Sequence, residues 1–359
     1  AMLRHKGRRW RHRRTFRVVA LTRRERKRLP GKQRNLILAR VIRRHGNAHH
    51  SFSSRAPEFG GGVLVAMGDA IAHRGPDDQG AWFDAEAGIG FVHRRLAIVD
   101  LSEAGHQPMA SHSYRYIIVF NGEIYNHTAL RKELEQAGFA VSWRGHSDTE
   151  TLLRGFEVWG IEATLKRAIG MFAFALYEIE TRRLILARDR MGEKPLYYGW
   201  LGKTLVFGSE LRALRAHPEW RGEINRDALG LLLRHGYIGA PHSVFKGVCK
   251  LAPASVCTLR LKNANPGSVV VFDYWSVAGF NPVRSHPETR DGDEIGLDNL
   301  ESLLRDAVRL RMEADVPLGA FLSGGVDSSL VVALMQAQSS IPVKTFSIGF
   351  QEKEFDESG

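Results

Sequence analysis

Residues 116–126 read YIIVFNGEIYN. The first five are β-branched or aromatic, a composition typical of a β-strand. Apolar segments of the same kind recur along the chain, separated by turn residues and by helical patterns over 128–137 and 149–159. Many strands with intervening helices predict an α+β fold in which stacked antiparallel sheets are covered by helices. The other predicted strands are 90–92, 96–99, 171–176, 184–187 and 205–207, and a short helix is predicted over 63–71.

The bulk composition is that of an ordinary globular protein. The 359 residues include 43% hydrophobic and 9% aromatic side chains, which suits a chain of two or so domains. The sequence has no run of about 18 apolar residues, so no membrane span is expected. The two cysteines, Cys249 and Cys257, are too few for a disulfide framework and lack metal-site spacing. They indicate a reducing, cytoplasmic compartment.

The positive charge is concentrated in one segment. Residues 1–56 hold 19 of the 51 basic residues but one of the 39 acidic residues, a net charge of +18. The remaining 32 basic and 38 acidic residues give −6, so the folded body is mildly acidic and is not expected to bind nucleic acid. Such charge density favours disorder over 1–62. Three interpretations stay open: an arm for nucleic acid or an anionic surface, an organellar presequence, and, preferred here, a non-native start before a glycine junction at 60–62.

Several short motifs between residues 73 and 198 follow one another in a specific order. Together they resemble the glutaminase domain of asparagine synthetases, which belongs to the N-terminal-nucleophile hydrolases. The resemblance implies a sandwich of antiparallel sheets with helices. The motifs are His73–Asp78 (HRGPDD), His93–Asp100 (HRRLAIVD), Gly105–Pro108 (GHQP), Phe120–Asn126 (FNGEIYN), Ser147–Glu150 (SDTE), Ala187–Arg190 (ARDR) and Gly192–Tyr198 (GEKPLYY).

The resemblance implies a site for free glutamine. Arg95 would bind the α-carboxylate through its planar guanidinium, and Asp148 would pair with the α-ammonium. Asn121 and the backbone N–H of Gly122 would form an oxyanion hole, since glycine permits a close backbone approach. The implied glutamine contacts are Arg95, Leu96, Ile98, Asn121, Gly122, Glu123 and Asp148.

One requirement of that family is not met by the sequence. Its nucleophile is a cysteine directly after the initiator Met, whose own α-amine acts as the base. Here the chain starts Ala1-Met2-Leu3, and no cysteine precedes Cys249. The first strand, which normally follows that cysteine, is expected to be absent or replaced. The two cysteines present are expected to be inert packing residues, and the chain is not expected to hydrolyse glutamine.

A second, α/β domain is predicted after a polar linker over 285–293. An amphipathic helix over 297–310 is followed by a strand, the glycine-rich turn Ser323–Ser329 (SGGVDSS), a helix and a further strand over 345–350. This βαβ order predicts a parallel sheet. A glycine turn at a helix N-terminus offers backbone N–H groups to an anion. The turn has no Gly-Lys-Ser/Thr and is therefore not a Walker loop.

The turn resembles the pyrophosphate-binding loop of the ATP pyrophosphatases. That resemblance implies ATP with Mg²⁺ as substrate, with Asp327 as the candidate Mg²⁺ contact and no prosthetic group. Only about 60 residues of this domain are present, so it is expected to be incomplete. The implied ATP contacts are Leu322, Ser323, Gly324, Gly325, Asp327, Ser328 and Ile348.

The resulting interpretation is a chain of the glutamine-hydrolysing asparagine synthetase lineage with four parts. These are a basic tail (1–62), a glutaminase domain lacking its first strand (63–222), a connecting segment (223–290) and a truncated ATP-pyrophosphatase domain (291–359). Its expected partners are glutamine, aspartate and ATP, and a homodimer stays open. Two alternatives also stay open: a β-lactam synthetase-like amide ligase with a dead glutaminase domain, and a non-catalytic binding module.

Overall fold

The computed structural model describes residues 18–20, 37–41, 61–138, 142–262, 264–279 and 290–349. The chain divides into two compact units, one of residues 31–284 and one of residues 285–359 together with 1–30. The strands are β1 (Val18–Ala20), β2 (Ile37–Val41), β3 (Asp78–Asp84), β4 (Ile89–Arg95), β5 (Met109–Ala110), β6 (Tyr116–Ile124), β7 (Gly170–Glu178), β8 (Arg183–Arg188), β9 (Tyr197–Leu201), β10 (Thr204–Gly208), β11 (Val248–Lys250), β12 (Ser255–Arg260), β13 (Val270–Asp273), β14 (Gly319–Phe321) and β15 (Lys344–Ser347). The α-helices are α1 (Gly61–Asp69), α2 (His127–Gln136), α3 (Asp148–Val158), α4 (Ile161–Arg167), α5 (Leu211–Arg215), α6 (Arg226–His235), α7 (Arg290–Leu310) and α8 (Val326–Ala337).

The larger unit contains two antiparallel sheets of six strands. The first has the order β11-β9-β10-β2-β4-β3 and the second the order β13-β12-β8-β7-β6-β5. Side chains from both sheets form one hydrophobic core, in which the rings of Trp82 on β3 and Tyr177 on β7 lie 5.7 Å apart. Phe156 of α3 packs against Phe174 of the second sheet, and α1 buries Leu64 against the first. The predicted sandwich of antiparallel sheets covered by helices is therefore confirmed.

The smaller unit contains a parallel sheet of order β1-β15-β14. Helix α8 connects β14 to β15, and these strands pair in parallel from Gly319–Lys344 to Phe321–Phe346. This is the predicted βαβ arrangement. The amphipathic helix is longer than predicted, because α7 begins at Arg290 inside the expected linker. The rest of that linker, residues 285–289, lies outside the described residues, as do residues 350–359.

The first sheet contains a strand that the sequence interpretation did not foresee. Strand β2 lies between β4 and β10, within the segment interpreted as a basic tail, and β1 lies in that segment as well. The glutaminase domain was interpreted as lacking its first strand, but a strand from before residue 63 occupies a central position in this sheet. The apolar residues of 37–41 were obscured by the charge around them. The remainder of residues 1–60 lies outside the described residues.

The strand predicted over 96–99 is wrong. These residues form an irregular loop after β4. The physical reason is that the carbonyl of Val99, like those of Asp100 and Ser102, accepts a hydrogen bond from the guanidinium of Arg95. Asp100 has a positive φ of 58°, which an extended strand does not allow. Among the described residues, no helix is both long and apolar enough to cross a membrane.

Candidate functional site

Strand β4 presents its last residues alternately to the two sides of the sheet. His93 and Arg95 are buried, whereas Arg94 between them is partly exposed and pairs with Asp69. This is the period-two alternation of an extended strand. His93 and Arg95 therefore face the protein interior from neighbouring positions, and Arg94 does not.

The guanidinium of Arg95 is enclosed by the loop that follows β4. Its Nη1 donates to the carbonyl of Ser102 at 3.2 Å, and its Nη2 donates to the carbonyls of Val99, at 3.5 Å, and Asp100. A Cβ at Gly105 would collide with Nη2, so only glycine allows the loop to come this close. The local sequence thus fixes the position of the guanidinium before any ligand is present.

The N-terminus of α3 carries the second charged group. Ser147 is the N-cap, and its side chain accepts the N–H of Thr149 at 3.1 Å. Asp148 is 2% exposed. Its Oδ1 accepts from Thr149 N and its Oδ2 from Ile124 N, both at 2.9 Å. The carboxylate is therefore held between the start of α3 and the end of β6.

Arg95 and Asp148 line the same small cavity. The centre of a water molecule can occupy about 20 Å³ of it, which is room for about one water. Four of the seven glutamine contacts implied by the sequence lie on its wall: Arg95, Leu96, Ile98 and Asp148. The other lining residues are His93, Val99, Gly105, Gln107, Phe120, Ser147 and Thr149.

Asn121, Gly122 and Glu123 lie on β6 and do not line this cavity. Asn121 is fully buried, and its Nδ2 donates to Ser209 Oγ at 3.3 Å. Its Oδ1 has no hydrogen-bond partner within the part of the chain that the structure describes. Gly122 faces the neighbouring strand so closely that a Cβ would lie 2.6 Å from Phe172 Cα. The side chain of Asn121 therefore turns away from the wall that Arg95 and Asp148 share.

Ser209 connects the Asn121 side chain to a second, larger cavity. The centre of a water molecule can occupy about 540 Å³ of that cavity, and Ser209 is part of its wall. Glu210, next in the chain, accepts a hydrogen bond from Arg74 at 2.8 Å and pairs with Arg212 at 3.0 Å. The other lining residues are Pro195, Tyr197, Leu211, Arg215, Val244 and Phe245.

His93 and Gln107 complete the polar wall of the small cavity. Burial lowers the pKa of His93 to about 3, so the ring is neutral at physiological pH. Its Nε2 lies 3.2 Å from the carbonyl of Phe120, which can only accept, so this nitrogen carries the proton. Gln107 accepts from Phe120 N at 2.7 Å and donates to Thr149 Oγ1 at 3.4 Å, which joins β6 to α3.

Neither cysteine is placed to act as a nucleophile. Burial raises the pKa of the Cys257 thiol to about 12 and also raises that of Cys249. Both side chains are free thiols. In the strand register, Cys249 lies opposite Tyr198 in the first sheet and Cys257 lies opposite Leu186 in the second. A thiol with a raised pKa is a poor nucleophile near neutral pH. These residues behave as packing residues.

The smaller unit holds the predicted phosphate loop. Strand β14 ends before Leu322, Gly324 has a left-handed φ of 82°, and α8 begins directly after Gly325. The Ser323 hydroxyl lies 3.1 Å from the Ser328 hydroxyl, which donates to the carbonyl of Gly325. Asp327 is in the first turn of α8. Ile348, just after β15, is half exposed.

Within the described ranges, no group of three or more His, Cys, Asp or Glu side chains is arranged to hold a metal ion. Asp327 is the single carboxylate of the first turn of α8. Mg²⁺ is commonly bound by one or two carboxylates together with substrate phosphates. The loop therefore fits Mg²⁺ that arrives with a nucleotide better than a resident ion.

Several residues that build or support the small cavity are not among the site residues that the sequence predicts. The pattern Ser147–Glu150 matches a helix start, and it would have identified Ser147 as the cap of α3. Asp100 is fully buried and bonds both the loop after β4 and the turn before α3. No signal in the sequence indicates the bond between Asn121 and Ser209, because Asn121 lies on β6 of one sheet and Ser209 directly follows β10 of the other.

Comparisons with known proteins match both parts of the chain to families. A family model described as "Glutamine amidotransferase domain" matches residues 51–275, and one described as "Asparagine synthase" matches residues 299–359. A putative asparagine synthetase (glutamine-hydrolyzing) 2 of Methanocaldococcus jannaschii is 36% identical over 81% of this chain and 57% of its own length. Asparagine synthetase (glutamine-hydrolyzing) 3 of Bacillus subtilis is 36% identical over 81% of this chain and 46% of its own length.

Solved structures show a weaker likeness. Glutamine phosphoribosylpyrophosphate amidotransferase from B. subtilis, complexed with ADP and GMP, is 18% identical, with a TM-score of 0.43 over 87% of this chain and 65% of that chain. The chain spans about half the length of the curated relatives that it matches.

Proposed function

The chain belongs to the glutamine amidotransferase family, as an asparagine synthetase-like protein, and from this premise we propose that its larger unit binds free glutamine in the small cavity. One observation carries the proposal: Arg95 and Asp148, opposite in charge, line the same cavity. An α-amino acid presents a carboxylate and an ammonium group on one carbon. A cavity with one fixed cation and one fixed anion on its wall matches that pair of charges.

The two charged ends of glutamine would be bound by different elements. Arg95 projects from β4 and donates N–H groups to the carboxylate, while Asp148 at the start of α3 accepts from the ammonium. Asp148 already accepts the backbone N–H groups of Ile124 and Thr149, which hold its carboxylate in place on the cavity wall. The cavity holds about one water, so glutamine binding would widen it.

The amide end of glutamine would point toward β6. Gly122 N–H and the Asn121 side chain would stabilise the oxyanion of a tetrahedral intermediate, provided that Asn121 turns from Ser209. The family's nucleophile is an N-terminal cysteine, and the raised thiol pKa values of Cys249 and Cys257 suit neither for that role. Neither of these two thiols is therefore expected to attack the glutamine amide.

The smaller unit would bind Mg·ATP at the Ser323–Ser329 turn. The N–H groups at the start of α8 would contact phosphate oxygens, the Ser323 and Ser328 hydroxyls would add donors, and Asp327 would lie near Mg²⁺. Leu322 and Ile348 would contact the adenosine. In the lineage's reaction, glutamine, aspartate, ATP and water give asparagine, glutamate, AMP and pyrophosphate, the aspartate side-chain carboxylate being adenylated before ammonia, released by hydrolysis of glutamine, displaces AMP. We extend that reaction to the whole protein.

The two free thiols also support a location in a reducing compartment, the cytoplasm.

A direct test of the proposed glutamine binding is calorimetric titration of the chain with L-glutamine. The variant Arg95→Gln removes the cation and is expected to weaken binding about 10- to 100-fold, the loss typical of hydrogen bonds to a charged group. Arg94→Gln is the matched control, because Arg94 is the adjacent residue and pairs with Asp69 instead of lining the cavity.

Equal affinity in Arg95→Gln and the unmodified chain would contradict the assignment of this cavity. An absence of heat in the unmodified chain, checked by ligand-observed NMR, would contradict glutamine binding altogether. Weakening by Arg94→Gln as strong as that by Arg95→Gln would show a general effect of charge instead of a specific contact.

A further inference from the structure

Asp100 lies between two segments that contribute residues to the wall of the small cavity, the loop after β4 and the turn before α3. It follows β4 and is fully buried, with a left-handed backbone conformation of φ 58°. Asp and Asn tolerate that conformation better than most other side chains. The turn formed there directs its carbonyl and its carboxylate to different neighbours.

The backbone carbonyl of Asp100 accepts a hydrogen bond from Arg95 Nη2. With the carbonyl of Ser102, 3.2 Å from Nη1, it holds the guanidinium from the loop side. The orientation of the Arg95 side chain therefore depends on the path of the backbone at residue 100.

The carboxylate of Asp100 fixes that path and reaches a second segment. Its Oδ1 accepts from Ser102 N at 3.1 Å and from Ser102 Oγ at 2.5 Å. Its Oδ2 accepts from His146 N at 2.8 Å. A Cβ at Gly145 would collide with Oδ2, so glycine at 145 is what allows the second segment to approach.

That second segment leads directly into the Asp148 position. His146 is followed by Ser147, the cap of α3, and then by Asp148 in the first turn of the helix. One side chain therefore connects the loop that holds Arg95 to the turn that presents Asp148. Burial opposes ionisation of Asp100, but hydrogen bonds from Ser102 and from the His146 N–H outweigh it and keep the pKa of Asp100 below its usual value.

We propose that Asp100 is a positioning residue that fixes the separation of Arg95 and Asp148, and so selects ligands that carry a carboxylate and an ammonium at the spacing of an α-amino acid. The inference rests on the proposed binding of glutamine. Two charged groups held at a fixed separation bind a matching ligand better than either binds alone, because the second contact forms without a new loss of freedom. Without the connection, each contact persists but their combined advantage falls.

The test compares three ligands on the full chain by ligand-observed NMR, which detects weak binding. L-Glutamine has both charged groups, glutaramate lacks the α-ammonium and γ-aminobutyramide lacks the carboxylate. In Asp100→Asn, one carboxylate oxygen becomes an N–H₂ group, which cannot accept a hydrogen bond from the His146 N–H or from Ser102. The connection between the loop after β4 and the turn before α3 is then lost. The expected result is a loss of about tenfold or more for L-glutamine and less than about twofold for the two other ligands.

Asp84→Asn is the matched control. Asp84 is also buried and accepts a backbone N–H, that of Ala87 at 2.9 Å, but it pairs with Ile89 at the opposite end of β4 from Arg95. It is expected to lower the melting temperature without changing the ratio of the three affinities. If Asp100→Asn does not fold, Ser102→Ala removes one donor to Oδ1 and is expected to give the same pattern, with a loss of about threefold.

Equal losses for all three ligands in the variants would overturn the inference, since a general structural defect has that effect. Unchanged L-glutamine binding in folded Asp100→Asn would overturn it as well. If the unmodified chain binds none of the three ligands, the proposed function itself fails and the inference falls with it. That outcome is read from the unmodified chain and is therefore separable from the other two.

Discussion

Asp148 Oδ2 accepts the backbone N–H of Ile124 at 2.9 Å. Ile124 ends β6, the strand that carries Asn121, Gly122 and Glu123. This one bond ties the proposed ammonium contact to the strand of the proposed oxyanion hole. The proposed ammonium contact and the proposed oxyanion hole are therefore adjacent, although only the ammonium contact, Asp148, lines the small cavity.

The first prediction concerns the charge of Asp148. Asp148→Asn keeps the size of the side chain but removes the anion, so L-glutamine affinity is expected to fall about tenfold or more. Asp69→Asn, on an exposed carboxylate paired with Arg94, is the control and is expected to have no effect. Isothermal titration of both variants makes the comparison. Retained affinity in Asp148→Asn would rule out an ammonium contact at this position.

The second prediction concerns Gly122. A Cβ there would collide with the carbonyl of Met171 and lie 2.6 Å from Phe172 Cα, both part of the neighbouring strand backbone. Gly122→Ala is therefore expected to lower the free energy of unfolding by about 1–3 kcal/mol. Gly230→Ala is the matched control, because Gly230 lies inside α6 with open space around it. This substitution is expected to raise the free energy of unfolding by as much as about 1 kcal/mol. Urea denaturation measures both, and a neutral Gly122→Ala would contradict the close approach of the strands.

The resemblance to the glutaminase domain assigned Arg95 and Asp148 to one ligand, and both line the small cavity. The sequence did not predict the orientation of the Asn121 side chain. The Asn121 side chain is held by a bond to Ser209, which directly follows β10 of the other sheet. Such a contact depends on packing between sheets, which periodicity does not encode.

The misassigned elements have physical causes of the same kind. The loop 96–99 is apolar and matches a strand pattern. However, the Arg95 guanidinium donates hydrogen bonds to the carbonyl of Val99 and to those of Asp100 and Ser102 in the following turn. Strand β2 is short and lies among many basic residues, so composition predicted a tail. In both places a tertiary interaction overrides the local propensity.

The third prediction is a pH dependence of stability. Burial lowers the pKa of His93 to about 3 from 6.5. Above pH 6.5 the ring is neutral in both states and has no effect. Between pH 6.5 and about 3 the unfolded chain binds a proton that the folded chain does not, so the free energy of unfolding falls as pH falls, by about 1.4 kcal/mol per pH unit well below 6.5.

His93→Gln is expected to remove that slope, as measured by urea denaturation at several pH values between 4 and 8. His106→Gln is the contrasting variant. The hydrogen bond to Asp78 raises the pKa of His106, so its contribution is fully present below pH 6.5 and is lost as pH rises through the raised pKa. Identical pH profiles for the unmodified chain and His93→Gln would show that His93 titrates normally.

The fourth prediction concerns the phosphate loop. Gly324 has a φ of 82°, where a side chain costs about 1–2 kcal/mol, whereas the Gly325 backbone, at φ −71°, is open to any residue. Gly324→Ala is expected to weaken Mg·ATP binding about five- to thirtyfold and Gly325→Ala by less than about twofold. Calorimetry with Mg·ATP on the full chain compares them. Equal affinities would mean that the left-handed turn is not needed for phosphate binding.

The last prediction concerns the position of an N-terminal nucleophile. Strand β2 runs antiparallel to β4, with Ile37 opposite Val92 and Val41 opposite Ile89. The N-terminal end of β2 therefore lies beside the end of β4 that carries His93 and Arg95. A chain that begins Met-Cys just before Ile37 would place a free N-terminal thiol and amine, after Met removal, next to the small cavity.

Two such chains make the test sharp, one with the cysteine directly before Ile37 and one with a single residue between them. Consecutive strand residues face opposite sides of the sheet, so only one of the two thiols points toward the cavity. Release of ammonia from L-glutamine is expected in one chain and not in the other, and Cys→Ser in the active one is expected to abolish it. If both chains fold, as judged by circular dichroism, but release ammonia only at the background rate, then β2 does not take the place of the strand that follows the nucleophile in this family.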